Sequence, residues 1–324
     1  MKTKLQAVSC KLQVPDRNLP VLMSPTFNPQ PSTFNRCCAF TLVEVMVVMA
    51  LLTFIVVALM GVFSSTQAAF RASLTQTDVL ESGRAAMDLI TGDVRTMAPS
   101  GGTNFGPVNF FAWSNSYAYT PLAQNLPASV SGARRVNLLN YFFVLGRDNN
   151  RWTGTGYIVN TASNSPLYAL YRYHAETNLN TSPVVLYDDF ISKITASQWT
   201  TFSHMMDGVV QLVVRAYDAN GIWLTNGYTF GARPPANTYF SPPFGGEVGF
   251  YFYSNTLPAS VEIELGTLED RTLQRAESLG IAGQWPSPAN TPAQWNYLQN
   301  QAATKVHIFR QRVAVPNVDP AVYQ

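Results

Sequence analysis

Between Val45 and Phe70 the chain carries no charged side chain, and the stretch Val45 to Phe63 is almost wholly apolar, interrupted only by Thr53 and Gly61. About 20 helical residues rising 1.5 Å each cross the roughly 30 Å hydrocarbon core of a bilayer, so this run is long enough to span a membrane. Residues 1 to 39 hold five basic side chains, Lys2, Lys4, Lys11, Arg17 and Arg36, against Asp16 alone. Basic residues before the run and almost none close behind it place the N-terminus in the cytoplasm and the bulk of the chain outside, in the periplasm.

Three ordinary readings fit an apolar run near an N-terminus: a plain signal anchor, a cleaved secretory peptide and a buried core helix. Each has to accommodate Glu44, the last charged residue before the run. A carboxylate at the edge of an apolar span is costly in lipid and usually has a partner, and a simple anchor supplies no reason for one. A secretory peptide could be cut near Ala68 or Ala69, but its apolar core is normally about 7 to 15 residues, shorter than this run.

The residues around Glu44 read Ala39-Phe40-Thr41-Leu42-Val43-Glu44 and lead into the apolar helix. This resembles the type IV prepilin signature, a small residue followed by Phe-Thr-Leu-x-Glu. The resemblance implies that prepilin peptidase cuts between Ala39 and Phe40 on the cytoplasmic side, that the new amine of Phe40 is N-methylated, and that the helix stays in the bacterial inner membrane. It gives Glu44 an assembly role: the carboxylate of one subunit neutralises the buried Phe40 amine of its neighbour, because an unpaired charge among packed helices is strongly disfavoured. The partners implied are the peptidase and other pilins or pseudopilins. Alanine stands before the cut where the family mostly has glycine, and Gly61 stands where many major pilins carry a helix-breaking proline; glycine costs a helix about 1 kcal/mol relative to alanine. All three cysteines, Cys10, Cys37 and Cys38, lie before the cut, so the mature chain would have none.

The helical pattern continues past the span, with Leu80, Gly83, Met87, Ile90, Val94 and Met97 at spacings of three and four on one face and Glu81, Arg84 and Asp88 on a solvated one. Pro99 and Ser100-Gly101-Gly102 stop it. A helix from Phe40 to Met97 would be about 87 Å long. Beyond residue 100, short aromatic and β-branched runs separated by Gly, Pro, Asn and Ser clusters read as strands: Val108 to Trp113, Val136 to Leu145, Leu167 to Tyr173, Val184 to Tyr187, Val209 to Tyr217, Val248 to Tyr253, Val261 to Leu265 and Val306 to Val315. The expected class is α+β, a long N-terminal helix whose second half packs on an antiparallel sheet. The expected division is a cleaved leader at 1–39, a membrane and assembly helix at 40–64, its periplasmic continuation at 65–98 and a β-rich head at 99–324.

A shorter resemblance covers the head. Arg84-Ala-Ala-Met-Asp-Leu-Ile-Thr-Gly-Asp-Val-Arg95, Gly208-Val-Val-Gln-Leu, Tyr217-Asp-Ala-Asn-Gly-Ile-Trp223 and Leu257-Pro-Ala-Ser-Val-Glu-Ile-Glu-Leu265 are similar in order to the J-type minor pseudopilins of type II secretion and the W-type minor pilins. Residues 266 to 305, with a short helix from Thr267 to Leu279, read as an insertion before the last strand.

No site for chemistry emerges from the residues. His174, His204 and His307 have no metal-ligand spacing, and HExxH, GxSxG and P-loop patterns are absent, so no catalytic residue, cofactor or metal is expected. Gly245-Gly246-Glu247-Val248-Gly249 reads as a turn. Asp218, Asn220 and Gly221 resemble part of a calcium loop but lack the distal glutamate, and a hairpin turn is the better reading, as it is for Asp188-Asp189. Trp285 and Trp295 fit core packing better than a partner surface. A net charge of +2 gives no electrostatic case for nucleic acid. The expected function is therefore structural, a pilin-like subunit, with a membrane-anchored periplasmic enzyme or binding protein as the alternative. A head this large favours a minor over a major subunit.

Overall fold

The structure, a computed structural model, describes residues 41–101, 106–114, 137–160, 169–198, 201–225, 237–241, 247–280, 297 and 302–318. It comprises two compact units, Met1–Gly61 and Val62–Gln324. Helix α1, Leu42–Arg95, contributes to both.

In the first unit, Thr41 caps α1: its Oγ1 and its carbonyl oxygen accept the Glu44 N–H at 3.3 and 3.0 Å. The apolar side chains that follow are exposed, from Leu42 through Met60. Thr53, the polar side chain inside the run, donates its hydroxyl to the carbonyl oxygens of Met49 and Ala50 at 3.1 and 2.8 Å, so it presents no free donor to lipid. The helix is long and apolar enough to cross a membrane, and none of its apolar window is buried in protein.

In the second unit the residues of α1 that bury are Val79, Gly83, Ala86, Met87, Ile90, Thr91 and Val94. The expected stripe is recovered except at its start, where Val79 is buried and Leu80 is 36% exposed. Glu81, Arg84 and Asp88 are exposed, as expected. The helix ends at Arg95, two residues early, because Met97 leaves it to bridge Gly146 and the Ala98 N–H donates to the Leu145 carbonyl at 3.0 Å. Strand pairing captures the chain before Pro99 can stop it.

Among the described residues ten strands follow: β1 Val108–Ser114, β2 Asn140–Asp148, β3 Arg151–Asn160, β4 Ala169–Asn178, β5 Ser203–Met206, β6 Val209–Tyr217, β7 Thr238–Phe240, β8 Phe250–Tyr253, β9 Ser260–Leu268 and β10 Val306–Ala314, with helices α2, Val184–Thr195, and α3, Asp270–Ser278, between them. They form two antiparallel sheets instead of the single sheet expected: seven strands in the order β5-β4-β3-β2-β1-β8-β7, and three in the order β10-β9-β6. A parallel bridge between Leu139 and Leu212 ties the approach to β2 to β6. The architecture is α+β, with the long helix preceding antiparallel sheets.

Strands β1 and β2, in the middle of the sheet of seven, bury both faces, so they carry apolar residues in succession instead of alternating. Phe110, Phe142, Val144 and Tyr157 join Ile90 and Val94 of α1 and Leu212, Ile263 and Leu265 of the smaller sheet in one core. Phe111, Phe143, Leu145 and Tyr173 point the other way, toward Leu186 and Phe190 of α2. Helix α2 corrects the expectation of a strand at Val184 to Tyr187. Pro183 starts it, and Leu186 and Phe190, one turn apart, are its buried anchors. It can lie close to β3 because a Cβ at Gly156 would stand 2.3 Å from the Phe190 ring and one at Gly154 2.9 Å from the Leu186 Cβ. Strands β3, β5 and β7 were not expected. The helix expected from Thr267 begins at Asp270, since Thr267 and Leu268 complete β9 opposite His307 and Val306.

Candidate assembly segment and its support

Ala39 and Phe40, the expected cleavage and methylation positions, lie outside the described residues. Thr41-Leu42-Val43-Glu44 has the spacing of a capping box, with Thr41 at the N-cap and Glu44 three residues on. Glu44 is exposed in the first turn, where backbone N–H groups and the positive end of the helix dipole favour an anion. The arrangement puts one carboxylate at the head of an otherwise apolar rod.

Residues 34–60 match the family described as the prokaryotic N-terminal methylation motif. The chain carries a prepilin-type N-terminus. No curated protein and no solved structure matches it. The prepilin motif implies processing by prepilin peptidase and assembly among pilins, and together with the apolar helix it supports membrane anchoring.

Besides its buried apolar stripe, α1 is tied to the sheets by a polar clamp that the sequence reading missed. Asp93 of α1 takes a two-pronged ion pair from Arg172 of β4, Nε to Oδ2 at 2.9 Å and Nη2 to Oδ1 at 3.0 Å, and also accepts the Tyr157 hydroxyl of β3. Both charged side chains are mostly shielded, 21% and 17% exposed. Burial, then the Asp93 charge and hydrogen bond, push the Tyr157 phenol well above its usual range, so it remains a donor. Burial works against the Arg172 cation, but Asp93 outweighs it and raises the guanidinium. The available signal was an acidic residue one turn after Ile90, at the edge of the buried stripe.

A second charged group lies across the outer face of the smaller sheet. Arg215 of β6 donates to both Glu247 oxygens at 3.0 and 2.9 Å and to Glu262 at 2.8 Å, and Arg310 of β10 reaches Glu262 at 2.6 Å. Gln211 hydrogen-bonds Glu264. Burial pushes Glu262 up, but the bonds from Arg310 and then Arg215 prevail and hold the carboxyl below the usual range. These contacts join β6, β9 and β10 in a fixed register. They place Glu247, from the segment read as a glycine-rich turn, on a structural ion pair.

The remaining candidates are dispersed. Each histidine sits beside a different carboxylate: His174 by Glu176 at 3.5 Å, His204 by Asp207 at 2.8 Å and His307 by Glu269 at 3.2 Å. Asp218 Oδ1 accepts the N–H groups of Asn220 and Ile222 at 2.9 and 2.6 Å, a side-chain-closed turn. Asp188 and Asp189 lie on α2, not in a turn, and Asp189 receives the Tyr173 hydroxyl and the Lys193 ammonium. Among the described residues no three His, Cys, Asp or Glu side chains form a metal-holding group. Trp285 and Trp295 lie outside the described residues.

Proposed function

We propose that this chain is a minor pilin-like subunit, of the J-type pseudopilin or W-type pilin kind, that serves a type II secretion or type IV pilus assembly as a structural component and not as an enzyme. Prepilin peptidase cuts between Ala39 and Phe40, Phe40 is N-methylated, and the helix at 40–64 anchors the product in the bacterial inner membrane. The basic residues of segment 1–39 keep the N-terminus cytoplasmic and leave the continuation at 65–98 and the head at 99–324 in the periplasm. The observation that carries the reading is the methylation-motif match over residues 34–60, ending inside an apolar helix whose side chains are bare. Such a helix needs lipid or other helices to cover it. The head supports the minor assignment: beyond the spine it builds two sheets, a bulk that hinders uniform repetition along a fibre.

The test is to express the chain with the other prepilin-like proteins of its host, shear the filaments and compare subunit abundance. A minor subunit is present in small and constant proportion to a major one. Recovery as the most abundant subunit would make it a major pilin. Complete retention in the membrane, with no association with processed partners, would favour the anchored binding protein instead.

A further inference from the structure

The described surface holds a groove beside α1 that assembly, as argued above, does not use. Its volume is about 280 Å³, and Thr75 and Gln76 of α1 form one wall while Arg271 and Arg275 of α3 and Lys305 before β10 form the other. Among the described residues Glu269 is the single acidic group in the lining, and its carboxylate is already shared by Lys305 at 3.7 Å and His307 at 3.2 Å. The groove is therefore net positive.

The placement of Arg271 is locally unfavourable, and Arg275 lies close to it. Arg271 stands in the first turn of α3, where the helix dipole disfavours a cation. Arg275 follows at i+4 on the same face, where like charges repel. Arg275 is held over the Tyr297 ring at 5.6 Å, and the Tyr297 hydroxyl is anchored on the Thr272 carbonyl at 3.1 Å, so this cation is positioned. A local rule broken twice in a groove with a third cation and the Gln76 amide calls for an anion. Tetrahedral phosphate accepts from arginine and lysine together and would relieve both conflicts.

Sequence position indicates the source. Arg71 is the first charged residue after the uncharged run that begins at Val45, and the α1 wall of the groove starts at the next residue, Ala72. We infer that the groove formed by Arg271, Arg275 and Lys305 is a binding site for the phosphate of an anionic phospholipid headgroup at the membrane surface. Basic side chains close to a membrane attract anionic lipid within about a Debye length. The bound headgroup would steady the head on the membrane before assembly. The inference rests on the membrane-anchor reading.

The experiment uses the full chain in bilayer discs of phosphatidylcholine, with or without phosphatidylglycerol, and follows amide hydrogen exchange of α3. Exchange should slow by about tenfold when phosphatidylglycerol is present, and the slowing should disappear in the combined variant Arg271→Gln, Arg275→Gln, Lys305→Gln and at high salt. All three side chains are exposed, so the variant should fold; Arg147→Gln with Arg151→Gln removes equal-sign charge elsewhere and should leave the effect intact. Equal exchange in the two lipids overturns the inference. So does the same protection from inorganic phosphate in phosphatidylcholine discs, which would make the ligand a free anion, or protection that appears only with added pilin subunits. Alkaline carbonate washing separates the two readings. Release from the membrane removes the anchor and this inference with it, whereas retention with unchanged exchange defeats the inference alone.

Discussion

At position 44 a carboxylate in the first turn of an apolar helix can act in two ways, and they differ in size. As a capping and dipole partner it contributes about 0.3–1 kcal/mol. As the counter-charge to a neighbour's Phe40 amine it is one member of a desolvated pair, and its loss costs about 3–5 kcal/mol, more than a hundredfold in the assembled population. Glutamine separates the two, since it completes a capping box but carries no charge. Glu44→Gln and Glu44→Ala should both be cleaved normally and both fail to co-purify with partner pilins; normal co-purification of the glutamine variant would leave only the capping role. Asp93 is the second decisive residue. Asp93→Asn keeps the shape but leaves the mostly shielded Arg172 without its anion, and with some solvent screening this should cost the head about 2–3 kcal/mol. Thermal unfolding followed by near-ultraviolet circular dichroism should show a midpoint lower by roughly 4–10 °C. A change within 1 °C would mean the clamp is ornamental.

At the level of elements, legibility followed periodicity. β6 begins and ends where its sequence indicates, at Val209 and Tyr217, and β1 and β10 differ by a residue, because each is a sustained run of β-formers. β3 was invisible and α2 was read as a strand for one shared reason. Gly154 and Gly156, which weaken the strand signal of Arg151–Asn160, are small because Leu186 and Phe190 fill the space where their side chains would be. The Val184-Val185 start that imitates a strand becomes helical only because that space exists. Tertiary packing overrode local preference on both sides of one contact. Gly156→Val should therefore cost about 1–3 kcal/mol by overpacking. Phe190→Ala in the same chain should recover part of it, with a coupling of about 0.5–3 kcal/mol in a double-mutant cycle of urea unfolding. Strict additivity of the two changes would show that α2 is seated elsewhere.

Across the whole molecule, the apolar span, its flanking charges and Glu44 were readable because lipid imposes a coarse rule, a long uncharged run, that needs no partner to be recognised. The clamp at Asp93 and the ion ladder around Arg215 were not readable, since both join residues far apart in the chain and only the fold brings them together. The central claim is that this is a processed prepilin, and the N-terminus of the protein extracted from membranes tests it most directly. Mass spectrometry should find a chain that begins at Phe40 with a methylated amine and retains the whole of α1. A mature chain that begins near Phe70, with the apolar run gone, would contradict it.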